Sequence, residues 1–234
     1  MSRTKPEDHK SNPTEHILEW VGHEDGGFFT VYNKETKTKT ELPLPLRFAY
    51  LDTRKSVAGY YESVQRGFYS NEIKPFSSEP FDVKYYKDGT AHPVAKGTWT
   101  EIKGEIGSKG GKYCNNVYAT LLTSTSEEIA GGSLVKLPLL GAAGSEWIDL
   151  SIADGESFEI VRFEDRTKGR TKYRAPIFTK IGISDAEGAI ADEQDAALQE
   201  FFGSARAPLD EQAQEPSNEV PADFEEPEED DLAF

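Results

Sequence analysis

Short runs of β-branched and aromatic residues, separated by turn residues, fill the chain between residue 15 and residue 181. Near the amino terminus this pattern predicts strands at 17–21, 28–32, 36–40 and 46–51, because such residues pack well on a pleated surface. The third strand alternates Thr and Lys with the two-residue period of a strand, so one of its faces is expected to be cationic. Pro43 and Pro45 separate the third strand from the fourth, since proline cannot donate a hydrogen bond to a sheet.

The same pattern continues after residue 80, whereas residues 53–80 show no clear period. Further strands are predicted at 81–86, 99–106, 113–122, 134–139, 146–152, 158–163 and 173–178. Glycine-rich residues 107–112 and the tip at 165–170 read as turns between strands. Many short strands at this spacing favour an antiparallel barrel or sandwich.

One helix is predicted at the end of the folded part. Ser184 and Glu187 have the spacing of a capping box, and Gly203 is a helix stop. The apolar face is expected to consist of Ile190, Ala197, Leu198 and Phe201. The chain therefore divides into a flexible start (1–14), one β domain (15–203) and a disordered tail (204–234).

Charge is distributed very unevenly along the chain. From Asp185 to the end there are 17 acidic residues and one basic residue, while residues 1–184 hold 25 of each. Residues 207–234 contain eleven carboxylates, four prolines and no Lys or Arg, too little apolar surface to offset the entropy of ordering. The tail is either a solvated solubility segment or an interaction segment. Its apolar ending, with Leu232 and Phe234, favours interaction.

Several classes of protein are excluded by composition. A single cysteine, Cys114, is incompatible with a disulfide framework, and no Cys/His spacing suits zinc. Residues 1–8 lack an apolar segment, which predicts no signal peptide, and no apolar run approaches 18 residues. We therefore expect a cytoplasmic protein.

Catalytic signatures are missing as well. Residues 107–112 resemble a phosphate-binding loop, but a Walker A motif would need Gly in place of Ile106 and Ser or Thr in place of Tyr113. No Gly-x-Ser-x-Gly turn is present, and the four histidines form no HExxH motif. The sequence predicts a protein that is not an enzyme and that needs no cofactor or metal.

Cations and aromatic rings cluster in three stretches, which is typical of proteins that bind single-stranded nucleic acid. Between Arg162 and Lys180 there are seven cations and two acids. The alternative is that the lysines protect edge strands and the aromatics form the core. The candidate DNA-binding residues are Lys34, Lys37, Lys39, Lys109, Lys112, Tyr113, Arg162, Phe163, Arg166, Lys168, Arg170, Lys172, Tyr173 and Arg174.

This layout resembles the single-stranded DNA-binding proteins of tailed phages. The similarity lies in segment 112–118 (KYCNNVY), in segment 198–202 (LQEFF) and most specifically in an acidic tail that ends in Phe. It implies a mainly β chain with an OB-fold-like antiparallel barrel, extra amino-terminal strands, one carboxy-terminal helix and a disordered acidic tail. Strand 2 would be 113–122, with the first hairpin loop at 107–112 and the last at 166–170.

The resemblance also implies a function. Such a protein coats and protects single-stranded DNA during phage replication, recombination or repair, in the cytoplasm of the host, without regard to base sequence. Its tail would cover the DNA-binding groove of the barrel when DNA is absent, and would recruit a polymerase, a helicase or another replication or recombination protein. Asp230, Asp231, Leu232 and Phe234 are the candidate partner-binding residues.

Two alternatives stay open at the level of sequence. The protein could be a partner-binding adaptor or a DNA mimic that acts through its tail, although a mimic would spread carboxylates over the folded surface. It could also be an RNA-binding chaperone, because stacking grooves discriminate poorly between sugars.

Overall fold

The computed structural model describes residues 13–22, 27–33, 36–124 and 126–204. The fold is mainly β, as predicted, with 51% of the described residues in strands and 23% in helices, and its principal sheet is curled into a half-barrel. The acidic tail from residue 205, the amino terminus up to residue 12 and residues 23–26, between the first two strands, lie outside the described residues.

Eleven strands and three helices lie in these described ranges. The strands are β1 His16–Val21, β2 Phe28–Asn33, β3 Thr38–Leu42, β4 Leu46–Tyr61, β5 Arg66–Gly67, β6 Phe81–Lys87, β7 Thr90–Gly97, β8 Gly111–Leu121, β9 Leu134–Leu139, β10 Ser157–Lys168 and β11 Thr171–Ile181. The helices are α1 Trp99–Gly107, α2 Gly141–Leu150 and α3 Asp185–Ser204, and a single 3-10 turn spans Glu62–Val64. None of these helices is long and apolar enough to span a membrane.

The large sheet has the strand order β11-β10-β4-β8-β9-β1-β2-β3, and β5 pairs with the end of β4. Strand β4 is the longest of them: its first residues pair with β10, and nearly its whole length pairs with β8. The register with β8 shifts between Tyr50 and Asp52, and such a bulge bends a strand. Strands β1 and β9 run parallel, so the expectation of a purely antiparallel barrel was wrong.

The curl encloses an apolar core. Alternate residues of β8, namely Val117, Ala119 and Leu121, point inward and are fully buried. Helix α2 packs into this core through Trp147, whose ring centroid lies 4.9 Å from that of Phe158. The edge strand β11 approaches the residue after β1, where the backbone nitrogen of Arg174 donates to the carbonyl of Gly22 over 3.4 Å.

The segment between β4 and β8 forms a smaller apolar cluster of its own. The hairpin β6–β7 and helix α1 pack around the distal end of β4. The buried residues of this cluster are Val57, Phe68, Ile73, Phe81, Val83, Ile102 and Ile106. Residues 53–80, which show no clear period in the sequence, therefore continue β4 for nine residues and then build this insertion.

Two predicted strands, at 99–106 and 146–152, are wrong, because helices α1 and α2 cover most of these segments. Helix α1 starts with a capping box in which the nitrogen of Thr98 donates to Glu101 over 2.7 Å, and Ile102 and Ile106 are buried four residues apart. In α2 the buried Ala143 and Trp147 have the same spacing. The expected number of one helix is therefore wrong as well.

The predicted carboxy-terminal helix is confirmed as α3. Its capping box forms as expected, with the nitrogen and the hydroxyl of Ser184 donating to Glu187 over 2.8 and 2.9 Å. Its buried face is rotated from the predicted one: Ala191 and Leu198 are buried, whereas Ile190 is 44% exposed. Gly203 lies inside the helix and does not end it.

Candidate nucleic-acid interface

The most cationic stretch of the sequence forms a two-stranded arm. Strand β10 pairs with β4 up to Ile160, which lies opposite Leu46, the first residue of β4. From Arg162 to Lys168 its partner among the described residues is β11. Residues 161–177, here called the basic arm, therefore extend beyond the end of β4. Strands β10 and β11 confirm the predicted hairpin, with a turn at 169–170.

Side chains on both faces hold the basic arm against the barrel. On one face the ring centroid of Phe163 lies 5.0 Å from that of Trp20, and Trp20 contacts the core through Phe29. The stem of Arg174 covers Gly27, where any Cβ would come within 2.3 Å of Arg174 Cδ. On the other face the guanidinium of Arg166 is hydrogen-bonded to Glu146 of α2. The arm is thus fixed to two separate elements.

Carboxylates lie directly among the cations of the basic arm. Glu164 is 2.9 Å from Arg162 and 3.7 Å from Arg166, and Arg174 bonds Asp165 over 2.6 Å. Exposed ion pairs contribute only about 0–1 kcal/mol each, so phosphate groups can replace these partners at little cost. Arg170 and Lys172 are exposed at the turn of the arm, and the structure does not describe the side chain of Lys168.

The other predicted cations lie on two different segments. Lys37 is exposed in the turn before β3 with φ 56°, Lys39 pairs with Glu19 over 2.8 Å, and Lys34 lies outside the described residues. Lys109 pairs with Glu105 over 2.7 Å and Lys112 is exposed at the start of β8. The loop at 107–112 follows helix α1, so its prediction as a hairpin loop was wrong.

The candidate DNA-binding residues include three aromatic rings that could stack on bases, Tyr113, Phe163 and Tyr173. Two of these rings have aromatic neighbours inside the protein. Tyr113 is half-buried, and its ring centroid lies 5.2 Å from that of Trp99 and 6.1 Å from that of Phe81. This burial raises the pKa of the Tyr113 hydroxyl. Phe163 rests on Trp20, as described above. Tyr173 lies opposite Arg166 in the arm and, like the other two rings, is partly exposed.

The outer face of β8 and β9 carries a polar network that sequence reasoning missed. Glu72 accepts hydrogen bonds from Asn116 over 2.7 Å, from the hydroxyl of Tyr118 over 2.6 Å and from Lys136 over 2.5 Å. Burial and the charge of Glu72 raise the pKa of Tyr118 well above its ordinary value. Glu72 lies in the stretch without a clear period, so no sequence signal indicated it.

Helix α3 lies over this same face. Leu198 is fully buried with Tyr118 and Leu134, and the guanidinium carbon of Arg54 is 3.9 Å from the ring centroid of Phe202. Near the start of the helix, Arg47 pairs with Glu187 over 3.1 Å. The helix carries six carboxylates and no Lys or Arg. Its carboxyl end, the last part of the chain that the structure describes, therefore lies beside the outer face of the barrel.

Comparisons with other proteins add no family assignment: no protein-family model, no curated protein and no solved structure matches the chain. The described residues contain no group of three or more His, Cys, Asp or Glu side chains that could hold a metal ion. The interpretation of the site therefore depends on its geometry and its charges.

Proposed function

We propose that this protein binds single-stranded DNA through an OB-type barrel. The topology supports this assignment: β4, β8 and β9 form a meander, helix α2 follows, and the hairpin β10–β11 returns to pair with β4. This order resembles that of an OB-fold, a fold that binds oligonucleotides with its strands 2 and 3 and the adjoining loops. Strand 2 would then be β8, as the resemblance implied, and β1–β3 would extend the barrel next to β9.

The observation that carries the proposal is the basic arm. In an OB arrangement it is the last hairpin, and it presents arginines whose present partners are exposed carboxylates. Phosphates can take the place of those carboxylates, and each one bound releases counterions from the DNA. Contacts of this kind fix the position of a strand and carry no sequence information, so binding would be nearly independent of sequence.

The acidic tail would regulate this binding. Helix α3 ends over Arg54 and Tyr118, and the tail follows it in the chain, so a tail that competes with DNA would act at a high effective concentration. When DNA displaces the tail, Asp230, Asp231, Leu232 and Phe234 would be free to bind a replication or recombination protein. An aromatic anchor next to carboxylates fits an apolar pocket beside a basic patch.

A salt titration of DNA binding tests the proposal. If about five phosphates are neutralised, the logarithm of the binding constant for labelled oligo-dT should fall with log salt at a slope of about −3 to −4. Combined reversal of Arg166, Lys168 and Arg170 to Glu should weaken binding by orders of magnitude. Because Arg166 also holds the arm to Glu146, reversal of Lys168 and Arg170 alone should weaken binding in the same direction with little change in melting temperature. The control reverses three exposed lysines of the insertion, namely Lys87, Lys96 and Lys103. Equal losses in both variants, or a flat salt response, would contradict the proposal.

A further inference from the structure

The insertion between β4 and β8 contains a tight turn with an unusual residue at its tip. The nitrogen of Ser77 donates to the carbonyl of Lys74 over 3.1 Å, Pro75 occupies the second position and Phe76 the third, with φ 61°. Proline followed by a residue with positive φ is the pattern of a type II turn, whose third position normally takes glycine. A bulky side chain there is an outlier and costs free energy.

Burial does not compensate for this cost. The Phe76 side chain has a relative exposure of 107%, the highest among the exposed large apolar residues of the described chain. Neither the turn geometry nor the packing of the core therefore accounts for a phenylalanine here. Strained residues tend to cluster where proteins bind ligands, and an exposed ring can make contacts with a ligand that folding does not use.

The turn is held firmly on both sides. Ile73 is buried and exchanges two backbone hydrogen bonds with Lys55 of β4, over 2.8 and 2.9 Å. The side chain of Asn71 accepts from the nitrogen of Asp82 over 2.7 Å and donates to the carbonyl of Pro80 over 3.1 Å. Because Glu72 bonds Tyr118 and Lys136, this segment also borders the outer face of β8 and β9.

We propose that Phe76 is a base-stacking residue, and that the exposed Lys74 beside it contacts the adjoining phosphate. This inference rests on the proposed binding of single-stranded DNA and adds a contact far along the chain from the basic arm. A protein partner would need an apolar patch of several hundred Å², whereas the residues that follow the ring are Ser77, Ser78 and Glu79. A nucleobase needs only one face of a ring, and a neighbouring cation strengthens the contact with the strand.

Three variants of Phe76 in the full-length protein test the assignment by titration with oligo-dT. Phe76→Leu keeps apolar bulk without the ring and should weaken binding about 10-fold, the effect typical of one lost stacking contact. Phe76→Gly should weaken binding similarly while raising the melting temperature, because glycine adopts positive φ without strain. Phe76→Trp should bind like wild type, and its added fluorescence should be quenched by oligo-dT beyond the quenching seen with the three native tryptophans.

The outcomes separate this inference from the proposed function. If wild type binds oligo-dT and the arm reversal abolishes binding, but Phe76→Leu and Phe76→Gly bind like wild type, then base stacking at Phe76 is wrong. A protein partner would then be the occupant to seek for the exposed ring. If wild type itself does not bind oligo-dT, the proposed function fails and the stacking assignment fails with it.

Discussion

The carboxylates inside the basic arm lead to a prediction that charge counting alone would not make. Glu164 lies between Arg162 and Arg166, at 2.9 and 3.7 Å, so in the proposed complex it would compete with phosphate for both guanidinium groups. The substitution Glu164→Gln keeps the shape of the side chain and removes the competing charge. We therefore expect this loss of a carboxylate to strengthen the binding of single-stranded DNA.

The size of the effect follows from the exposure of the two pairs. The side chain of Glu164 is 42% exposed, and exposed pairs contribute about 0.2–1 kcal/mol each. Arg162 would lose this partner, whereas Arg166 would keep Glu146, so the gain in binding should be roughly 0.3–1 kcal/mol, which is about 2- to 5-fold in affinity. The gain should shrink with added salt, since ions screen exposed charges over about 10 Å at 0.1 M.

Fluorescence anisotropy with a labelled oligo-dT at 50 and 300 mM salt would measure this effect. The control is Glu127→Gln, which removes one exposed carboxylate from the loop between β8 and β9. An effect of net charge alone would be equal in the two variants. Affinity for Glu164→Gln that is unchanged, or lower than wild type, would refute the view that the arm arginines exchange carboxylates for phosphates.

Three further predictions concern the tail, helix α3 and the buried thiol. Deletion of residues 207–234 should tighten DNA binding, most at low salt. Deletion of residues 232–234 should leave DNA binding unchanged and abolish the pull-down of a replication partner. If this shorter deletion still pulls down the partner, Phe234 has no role in partner binding. Leu198→Ala should lower the free energy of unfolding by about 2–4 kcal/mol in urea melts, because this side chain is fully buried, and a loss below about 1 kcal/mol would contradict the packing of α3. Burial raises the pKa of Cys114 to about 11, so the thiol of the native protein should resist iodoacetamide at pH 8. Its contribution to the free energy of unfolding should fall as the pH rises from about 9 to about 11, because the unfolded thiol ionises first. Equal alkylation rates in native and urea-unfolded protein would contradict its burial.

The local pattern of apolar and polar residues predicted those strands and helices whose own residues determine their conformation. The hairpin β10–β11 and strand β8 have β-branched and aromatic residues on a two-residue period, and both were predicted. The capping box at Ser184 placed the start of α3. Helices α1 and α2 were missed because each is short and rich in glycine or aromatic residues, so that its helical spacing rests on two or three buried positions.

The site depends on contacts that are distant in the chain, and these were not predictable. Glu72 bonds Asn116 and Lys136, 44 and 64 residues away, and Arg54 stacks on Phe202 at the far end of the chain. The cations were correctly placed on the arm, but their partners were not foreseen, because Glu146 comes from a helix that was predicted as a strand. Composition indicates charge, whereas only the fold shows which charges face one another.

A competition experiment with the full-length protein tests the central claim most directly. Labelled oligo-dT is bound first, and oligo-dT, oligo-U and duplex DNA of equal length then compete for the protein at a fixed salt concentration. Binding of single-stranded DNA predicts displacement by unlabelled oligo-dT at the lowest concentration, and by duplex only at a much higher one. Tighter competition by duplex DNA, stronger competition by oligo-U, or no measurable binding of oligo-dT would contradict the account.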